Sequence, residues 1–419
     1  MRLLDVLPIV CVGILTACGS GGSDSSVPAC DPGTEFCGTI PTSAFACTGS
    51  QYWPLEIQSG QYPLSVHYAK TSEEEVAADM LAILDNAWQT QVETIGFAAP
   101  LGDGGSCGPD DRYDVFVWQG VEGAFVEAIV DNPQTSHDDY STYIAIDPFG
   151  DFGDVFLDTT LAHEFNHAVQ ASDDWWESAL MFEMTATFAE ALVYPDQDDY
   201  FYVIEDFQLH PEWSLFYDDN YATWYMYGAA MYLHFLQQRY YEQDPGFVAR
   251  IWRNMRSDPA DGRPDFIDAM RAVLVAERGV ALDDTVVEFM QWRWFTGEFD
   301  DGLHFTQGAD WGFSVPFQEI DAGIGQANVQ FDAMIYGAGY LRIVNPSAGQ
   351  RQFSVALQNP DPDVIWRVTT ERGEAVAGSV TVPPQSSIVI IATVLPAAEL
   401  SAATLDFDTR TSTLLLDAL

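Results

Sequence analysis

His163 and His167 stand four residues apart in "LAHEFNHAVQ" (residues 161–170), with Glu164 directly after the first. On a helix, positions i and i+4 share a face, so both imidazoles can reach one ion. Zinc suits neutral imidazole; in a catalytic site it takes three protein ligands and leaves one position for a water, whose pKa falls towards about 7. Glu164 is placed to take a proton from that water and pass it to a leaving group. With 7 His in 419 residues, this spacing with Glu in the second slot is uncommon as an accident of a helix surface.

Two histidines alone hold zinc weakly, so the third ligand decides. After His167 the chain reads "AVQASDDWWE", without a third histidine. Asp173 and Asp174 mark a turn, from which "WWESALMFEMTATFAEALVY" returns as a second helix ended by Pro195. Counting back from the turn by about the distance that separates it from His167 reaches the region of Leu180, within one helical turn of Glu183. Glu177 lies too near the turn. Glu190 shares the face of Glu183 about 10 Å further along, where it suits support of the histidines or substrate contact. A carboxylate in the middle of an otherwise apolar helix is costly unless paired or metal-bound, which favours Glu183 as the ligand.

Together, "HEFNHAVQ" and "FEMTATFAE" resemble the gluzincin metallopeptidases, whose second helix carries a zinc-binding Glu with a small residue three positions on, here Glu183 and Ala186. More narrowly, the chain resembles bacterial lipoproteins of myxobacteria and their relatives assigned to that clan, with a Trp-rich second helix, a "VYPD" stretch and a C-terminal β-domain after the motif. The resemblance covers roughly residues 60 to 300, and the C-terminal part loosely. It implies His163, His167 and Glu183 as zinc ligands and Glu164 as catalytic base. It also implies a thermolysin-like zincin fold in which "STYIAID" is the edge strand that pairs with an extended peptide. The clan's downstream oxyanion-holding His or Tyr and substrate-orienting Arg do not map. Tyr225, Tyr227 and His234 are candidates for the first, although tyrosines there more often pack a core. His210 lies in an irregular stretch and stays unassigned.

The elements needed to position this site are legible in outline. "YPLSVHYA", "RYDVFVW" and "STYIAID" read as strands, and "TSEEEVAADMLAILDNAWQTQVETIGF" as a helix with an acidic start. The motif helix runs from Asp158, as N-cap, to about Ser172. Helical patterns continue through "YATWYMYGAAMYLHFLQQRYY", "PGFVARIWRNM", "PDFIDAMRAVLVAE" and "LDDTVVEFMQWRWFTGEF". After about residue 305, short alternating runs separated by turn residues indicate an all-β sandwich. These elements give an α+β fold class, with a domain over residues 51–305 that has a mainly helical second half and that the resemblance implies is zincin-like, then a β-sandwich over residues 306–419.

Ahead of these domains, Arg2 precedes an apolar run from Val6 to Leu15 that is too short to span a bilayer as a helix. It ends in "LTAC", which resembles the lipobox of bacterial lipoproteins, in which the Cys is acylated and the preceding residues are removed. The resemblance makes residues 1–17 a signal peptide and Cys18 a lipid anchor, with residues 18–50 a flexible tether carrying cysteines. Gly19 stands where the lipoproteins that the chain resembles carry Asp for inner-membrane retention, so the resemblance implies the outer membrane or cell surface. Outside the cytoplasm, Cys30, Cys37, Cys47 and Cys107 allow three pairings, of which Cys30–Cys37 with Cys47–Cys107 is the expectation.

Net charge is -47, from 63 acidic and 16 basic residues, which excludes nucleic acid as a partner. Between Arg112 and Arg239 there are 24 Asp and Glu and no Lys or Arg, read as a hydrated acidic surface. The pieces "GDGGSCGPDDRYD", "DPFGDFGD" and "PDQDD" can offer carboxylates to calcium, but none has EF-hand spacing, so solvated loops are the simpler reading. The expectation is one Zn2+ per chain, with Ca2+ secondary, in a membrane-tethered extracytoplasmic peptidase acting on peptides or proteins. The alternative is a non-catalytic surface lipoprotein whose zinc site is structural or degenerate.

Overall fold

The computed structural model describes residues 9–10, 30–41, 46–150, 153–197, 200–257, 262–359 and 361–419. The expected lipidation at Cys18 lies outside the described residues. The chain divides into two compact units, Met1–Asp199 with Val248–Pro264, and Tyr200–Phe247 with Asp265–Leu419.

The first unit is built on a mixed six-stranded sheet. Its strands are β1 (Ile9–Val10), β2 (Leu55–Gln58), β3 (Leu64–Tyr68), β4 (Tyr113–Val117), β5 (Ala124–Asp131) and β6 (Tyr140–Ile146), in the order β1-β5-β6-β4-β3-β2. β3, β4 and β6 are parallel, whereas β5 runs antiparallel to β6 and β2 antiparallel to β3. β3 and β4 are buried along their whole length, because both faces of the sheet are covered. On one face Tyr113 meets Phe165, with ring centroids 6.4 Å apart. Phe116 and Trp118, of opposite parity to Tyr113, and Tyr143 and Ala145 of β6, where Ala145 is in register with Phe116, join Trp53, Ile40 and Cys107 in a cluster on the other face. The "STYIAID" strand expected at the edge is interior: β6 is hydrogen-bonded to β4 on one side and β5 on the other. β5, a strand not expected from the sequence, lies beyond it.

Helix α1 (Glu74–Trp88) is followed by a π-helical stretch, Gln89–Ile95, that ends at Gly96 in the left-handed region, φ 88°. Helix α2 (Gly153–Ala171) carries the histidine motif and breaks at Phe156, so its regular part starts close to the expected Asp158. Helix α3 (Ala179–Val193) returns antiparallel. It begins at Ala179 rather than at Trp175, because Trp175 N–H donates to Asp138 O (2.7 Å) and Trp176 N–H to Asp174 Oδ1 (3.0 Å). Ser178 then caps the helix, its Oγ accepting from Met181 N–H at 3.3 Å.

In the second unit, α4 (Phe201–Leu209), α5 (Tyr225–Gly228), α6 (Ala230–Arg239), α8 (Phe266–Arg278) and α9 (Leu282–Trp294) are grouped with the C-terminal strands; α7 (Gly246–Met255) belongs largely to the first unit. The strands are β7 (Gln318–Asp321), β8 (Gln326–Ala333), β9 (Ala338–Asn345), β10 (Arg351–Gln358), β11 (Val364–Thr370), β12 (Ser379–Val382), β13 (Ser386–Pro396) and β14 (Arg410–Ala418). They form two four-stranded sheets, β12-β10-β14-β8 and β11-β13-β9-β7, a sandwich-like region of the expected kind. β13 is buried almost throughout, and Tyr340 of β9 donates its Oη to Met290 O of α9 at 2.7 Å, which ties that sheet to a covering helix.

Two disulfides, Cys30–Cys37 and Cys47–Cys107, form as expected. The second closes a separation of 60 residues against 7 for the first. In the chain-entropy account, losing it costs about 4 kcal/mol, against about 2 kcal/mol for the shorter loop. Urea denaturation of Cys47→Ala/Cys107→Ala and of Cys30→Ala/Cys37→Ala should show that order; equal losses would contradict it.

Candidate metal centre

α2 runs through the interior of the first unit, and its apolar residues Leu161, Phe165, Ala168 and Val169 are buried as the pattern requires. Between them, Glu164, Asn166, His167 and Gln170 are 0% exposed and His163 5%. Polar groups sealed this far from water must find partners, or each costs about 1–3 kcal/mol. The turn that brings α3 back is itself fixed. Asp173 and Asp174 both donate their N–H to Gln170 O (2.8 and 3.0 Å), Asp173 Oδ1 accepts from Arg256 Nη2 at 2.7 Å, and Asp174 Oδ2 accepts from Ser257 N–H at 3.0 Å.

That hairpin sets Glu183, 0% exposed, against the histidines. Its Oε2 lies 2.9 Å from His163 Nε2 and 3.6 Å from His167 Nε2. The two imidazole rings are 4.8 Å apart and nearly perpendicular, at 86°. Ligand-type atoms of His163, Glu164 and His167 also lie within 4.8 Å of one another, a group able to hold a metal ion. Behind the rings, His163 Nδ1 is 3.1 Å from Glu190 Oε2 and His167 Nδ1 is 2.9 Å from Gln170 Oε1. Glu190 thus reaches the far side of His163, the supporting position considered for it from the sequence.

These residues fit zinc on three counts. Ligand atoms at tetrahedral zinc bond lengths stand about 3.3 Å apart, and the two imidazole-to-carboxylate distances bracket that value. Among the described residues, His167 Nε2 and Glu183 Oε1 are buried and find no hydrogen-bond partner. Finally, burial by itself raises the Glu183 pKa, but positive charge and hydrogen bonds from protonated His167 and His163 outweigh it and hold the carboxyl at about 2, so without metal it is an anion whose charge those protons, or a cation in their place, must balance. Two imidazoles and one carboxylate, each imidazole backed by an acceptor at Nδ1, form a donor set that zinc accepts.

Tyr225, Tyr227 and His234 belong to the second unit. Tyr225 Oη donates to Ser214 O at 2.8 Å, and burial pushes its pKa up. Tyr227 packs edge-on against Trp224, with centroids 5.1 Å apart. His234 stacks on Tyr200 at 5.6 Å, and burial pushes it down to about 4, so it is neutral at pH 7. His210 stacks on Trp213 at 4.0 Å with Nδ1 3.2 Å from Glu212 Oε1. Sequence reasoning does not find Gln91, Asn166 and Gln170. Gln170 lies three positions after His167, a spacing that signals contact on a helix, whereas nothing in the sequence marks Gln91.

Two further groups, Cys30–Glu35–Cys37 and Asp103–Cys107–Asp114, cluster ligand-type atoms, but their cysteines are oxidised and offer no thiolate. In the loop considered for calcium, Asp103, Asp110 and Asp111 accept main-chain N–H groups of Gly105, Arg112 and Gly104 (2.8, 3.0 and 2.7 Å), turns that the loop builds for itself.

No protein-family model matches the chain, and no curated protein does. Among solved structures, it is similar to the periplasmic g-type lysozyme inhibitor PliG of Aeromonas hydrophila (13% identity, TM-score 0.18), covering 25% of this chain and 97% of that one. It is similar also to PliG of Salmonella Typhimurium (10% identity, TM-score 0.17), covering 25% of this chain and 100% of that one. Likeness at these scores says nothing about what the chain does.

Metal analysis after equilibration with zinc should find about one equivalent per chain. His163→Ala, His167→Ala or Glu183→Ala should reduce it to background, and Glu190→Gln should weaken binding by about 10- to 100-fold; full retention by Glu183→Ala would contradict the assignment. A second test concerns His234, whose pKa in the folded chain lies below the ordinary value of 6.5. The unfolded chain therefore binds the proton more tightly, and stability present above pH 6.5 is lost as pH falls towards about 4, by up to about 3 kcal/mol. His234→Phe should flatten that part of the stability profile, and an unchanged slope would contradict the assignment of a buried neutral imidazole.

Proposed function

We propose that the protein is an extracytoplasmic zinc-dependent peptidase of the gluzincin type, with a thermolysin-like catalytic fold, tethered to the outer membrane or cell surface of a bacterium through lipid on Cys18. The observation that carries the reading is the meeting of His163 Nε2, His167 Nε2 and Glu183 Oε2 beside Glu164 inside one buried helical hairpin. The two disulfides support a location outside the reducing cytoplasm.

His163, His167 and Glu183 would hold a zinc ion, which would supply Lewis acidity to a water and a substrate carbonyl. Glu164, next to His163 on the same helix, accepts the water's proton on a carboxylate oxygen and returns it to the departing amine. Glu190 holds His163 by its Nδ1, 3.1 Å away, so that Nε2 stays aimed at the site. An extended peptide needs main-chain groups to pair with, and β5 suits this better than the interior β6. On the side of β5 away from β6, the pairing among the described residues is with Ile9–Val10, opposite Val126 and Phe125.

The test is cleavage of a mixed peptide library by zinc-loaded protein, with Glu164→Gln as the comparison. Peptidase action requires kcat/KM to fall roughly a hundred- to ten-thousand-fold in the variant while zinc content is unchanged. Loaded wild-type protein that cleaves no peptide but does cleave simple amides or esters would shift the assignment to another hydrolase. Cleavage of neither would leave a binding scaffold with a structural zinc.

A further inference from the structure

His167 is held differently from His163. Its Nδ1 faces a neutral amide, Gln170, which belongs to a buried chain of amides leading away from the site. Gln91, 0% exposed, is presented by the π-helical stretch, where its carbonyl accepts N–H from both Gly96 and Phe97 at 3.1 Å. Its Nε2 donates to Ala162 O at 2.7 Å. A main-chain carbonyl only accepts, so this contact fixes which end of the Gln91 amide is nitrogen, and Oε1 must face Asn166. Asn166 therefore donates Nδ2 to Gln91 Oε1 at 2.9 Å and offers Oδ1 to Gln170 Nε2 at 2.6 Å. Gln170 Nε2 is fixed a second time by donating to Phe182 O at 3.0 Å. That leaves Gln170 Oε1, an acceptor, 2.9 Å from His167 Nδ1, which must carry the hydrogen.

We propose that Gln91, Asn166 and Gln170 are a positioning relay that locks His167 in its Nδ1–H tautomer and thereby keeps its Nε2 lone pair available to metal. The inference rests on the reading of His167 as a ligand, and it adds residues and a direction of hydrogen bonding that this reading does not require. Two main-chain carbonyls, Ala162 O and Phe182 O, set the polarity of the whole chain. The relay therefore differs from a simple acceptor behind the ring. A simple acceptor works as well, or better, as a carboxylate. In the relay, Gln170→Glu puts carboxylate oxygen against both Asn166 Oδ1 and Phe182 O, where a donor is needed. Asn166→Asp likewise sets oxygen against Gln91 Oε1 while leaving the group next to His167 unchanged.

The experiment measures cobalt and zinc affinity by chelator competition for the full chain and for Gln170→Glu, Asn166→Asp and Gln91→Met, with thermal unfolding of each metal-free protein as the fold control. The expected result is about one ion per wild-type chain and a loss of about 10- to 100-fold for the first two variants. Gln91→Met, which touches no ligand, should also bind more weakly although its metal-free form unfolds cooperatively. Wild-type affinity in Gln170→Glu or Asn166→Asp would overturn the relay while leaving the metal site standing. Failure of wild-type protein to bind either ion would instead remove the site on which the relay rests. Should the variants not fold, histidine nitrogen NMR of zinc-loaded wild-type protein decides: Nδ1–H with metal on Nε2 at His167 is expected, and coordination through Nδ1 overturns the proposal.

Discussion

An ionised carboxylate and two imidazole lone pairs do not share a sealed interior volume unless positive charge lies between them. At 2.9 and 3.6 Å, with Glu183 and His167 fully buried, repulsion among acceptors is not relieved by solvent. A cation satisfies all three at once, and protons shared with the imidazoles do so in its absence. Much else about the first unit can be traced to holding these atoms together. α2 is buried on every side from Leu161 onward, and α3 is turned back by a tight, hydrogen-bonded loop.

The same constraint accounts for where the unit keeps its polar side chains. Residues 163–170 would weaken an ordinary core helix, yet each of the polar ones for which a hydrogen bond is described leads into the site or supports a residue that does. Glu190 engages the far side of one imidazole and Gln170 the far side of the other. The turn of the hairpin is held from outside as well: Arg256 and Ser257, far along the chain, bind Asp173 and Asp174. A site held by helices and buried hydrogen bonds, rather than by loops, is suited to fixed ligand geometry.

Helical spacing makes His163 and His167 legible as a pair, and the residue count from the turn, together with the cost of a mid-helix carboxylate, points to Glu183 from sequence alone. Both signals are local, governed by 3.6 residues per turn. What stays hidden is non-local. Nothing in "STYIAID" says that another strand lies outside it, because a strand buried on both faces reads alike in the middle of a sheet and at its edge. β5 itself mixes buried and half-exposed positions and so lacks a strict alternation. The start of α3 is misjudged from sequence because aromatic residues at 175 and 176 continue the apolar pattern, while the hydrogen bonds that withdraw them from the helix come from Asp138 and Asp174. Gln91 reaches Asn166 across 75 residues of sequence and cannot be anticipated from either segment.

The cation proposed between Glu183 and the two histidines is most directly tested by X-ray absorption at the zinc edge of the purified, zinc-loaded chain. Ligation by His163, His167 and Glu183 predicts a first shell of nitrogen and oxygen at about 2.0–2.2 Å, with imidazole outer-shell scattering equivalent to about two rings and no sulfur. A shell made only of oxygen, or scattering without imidazole, would contradict it.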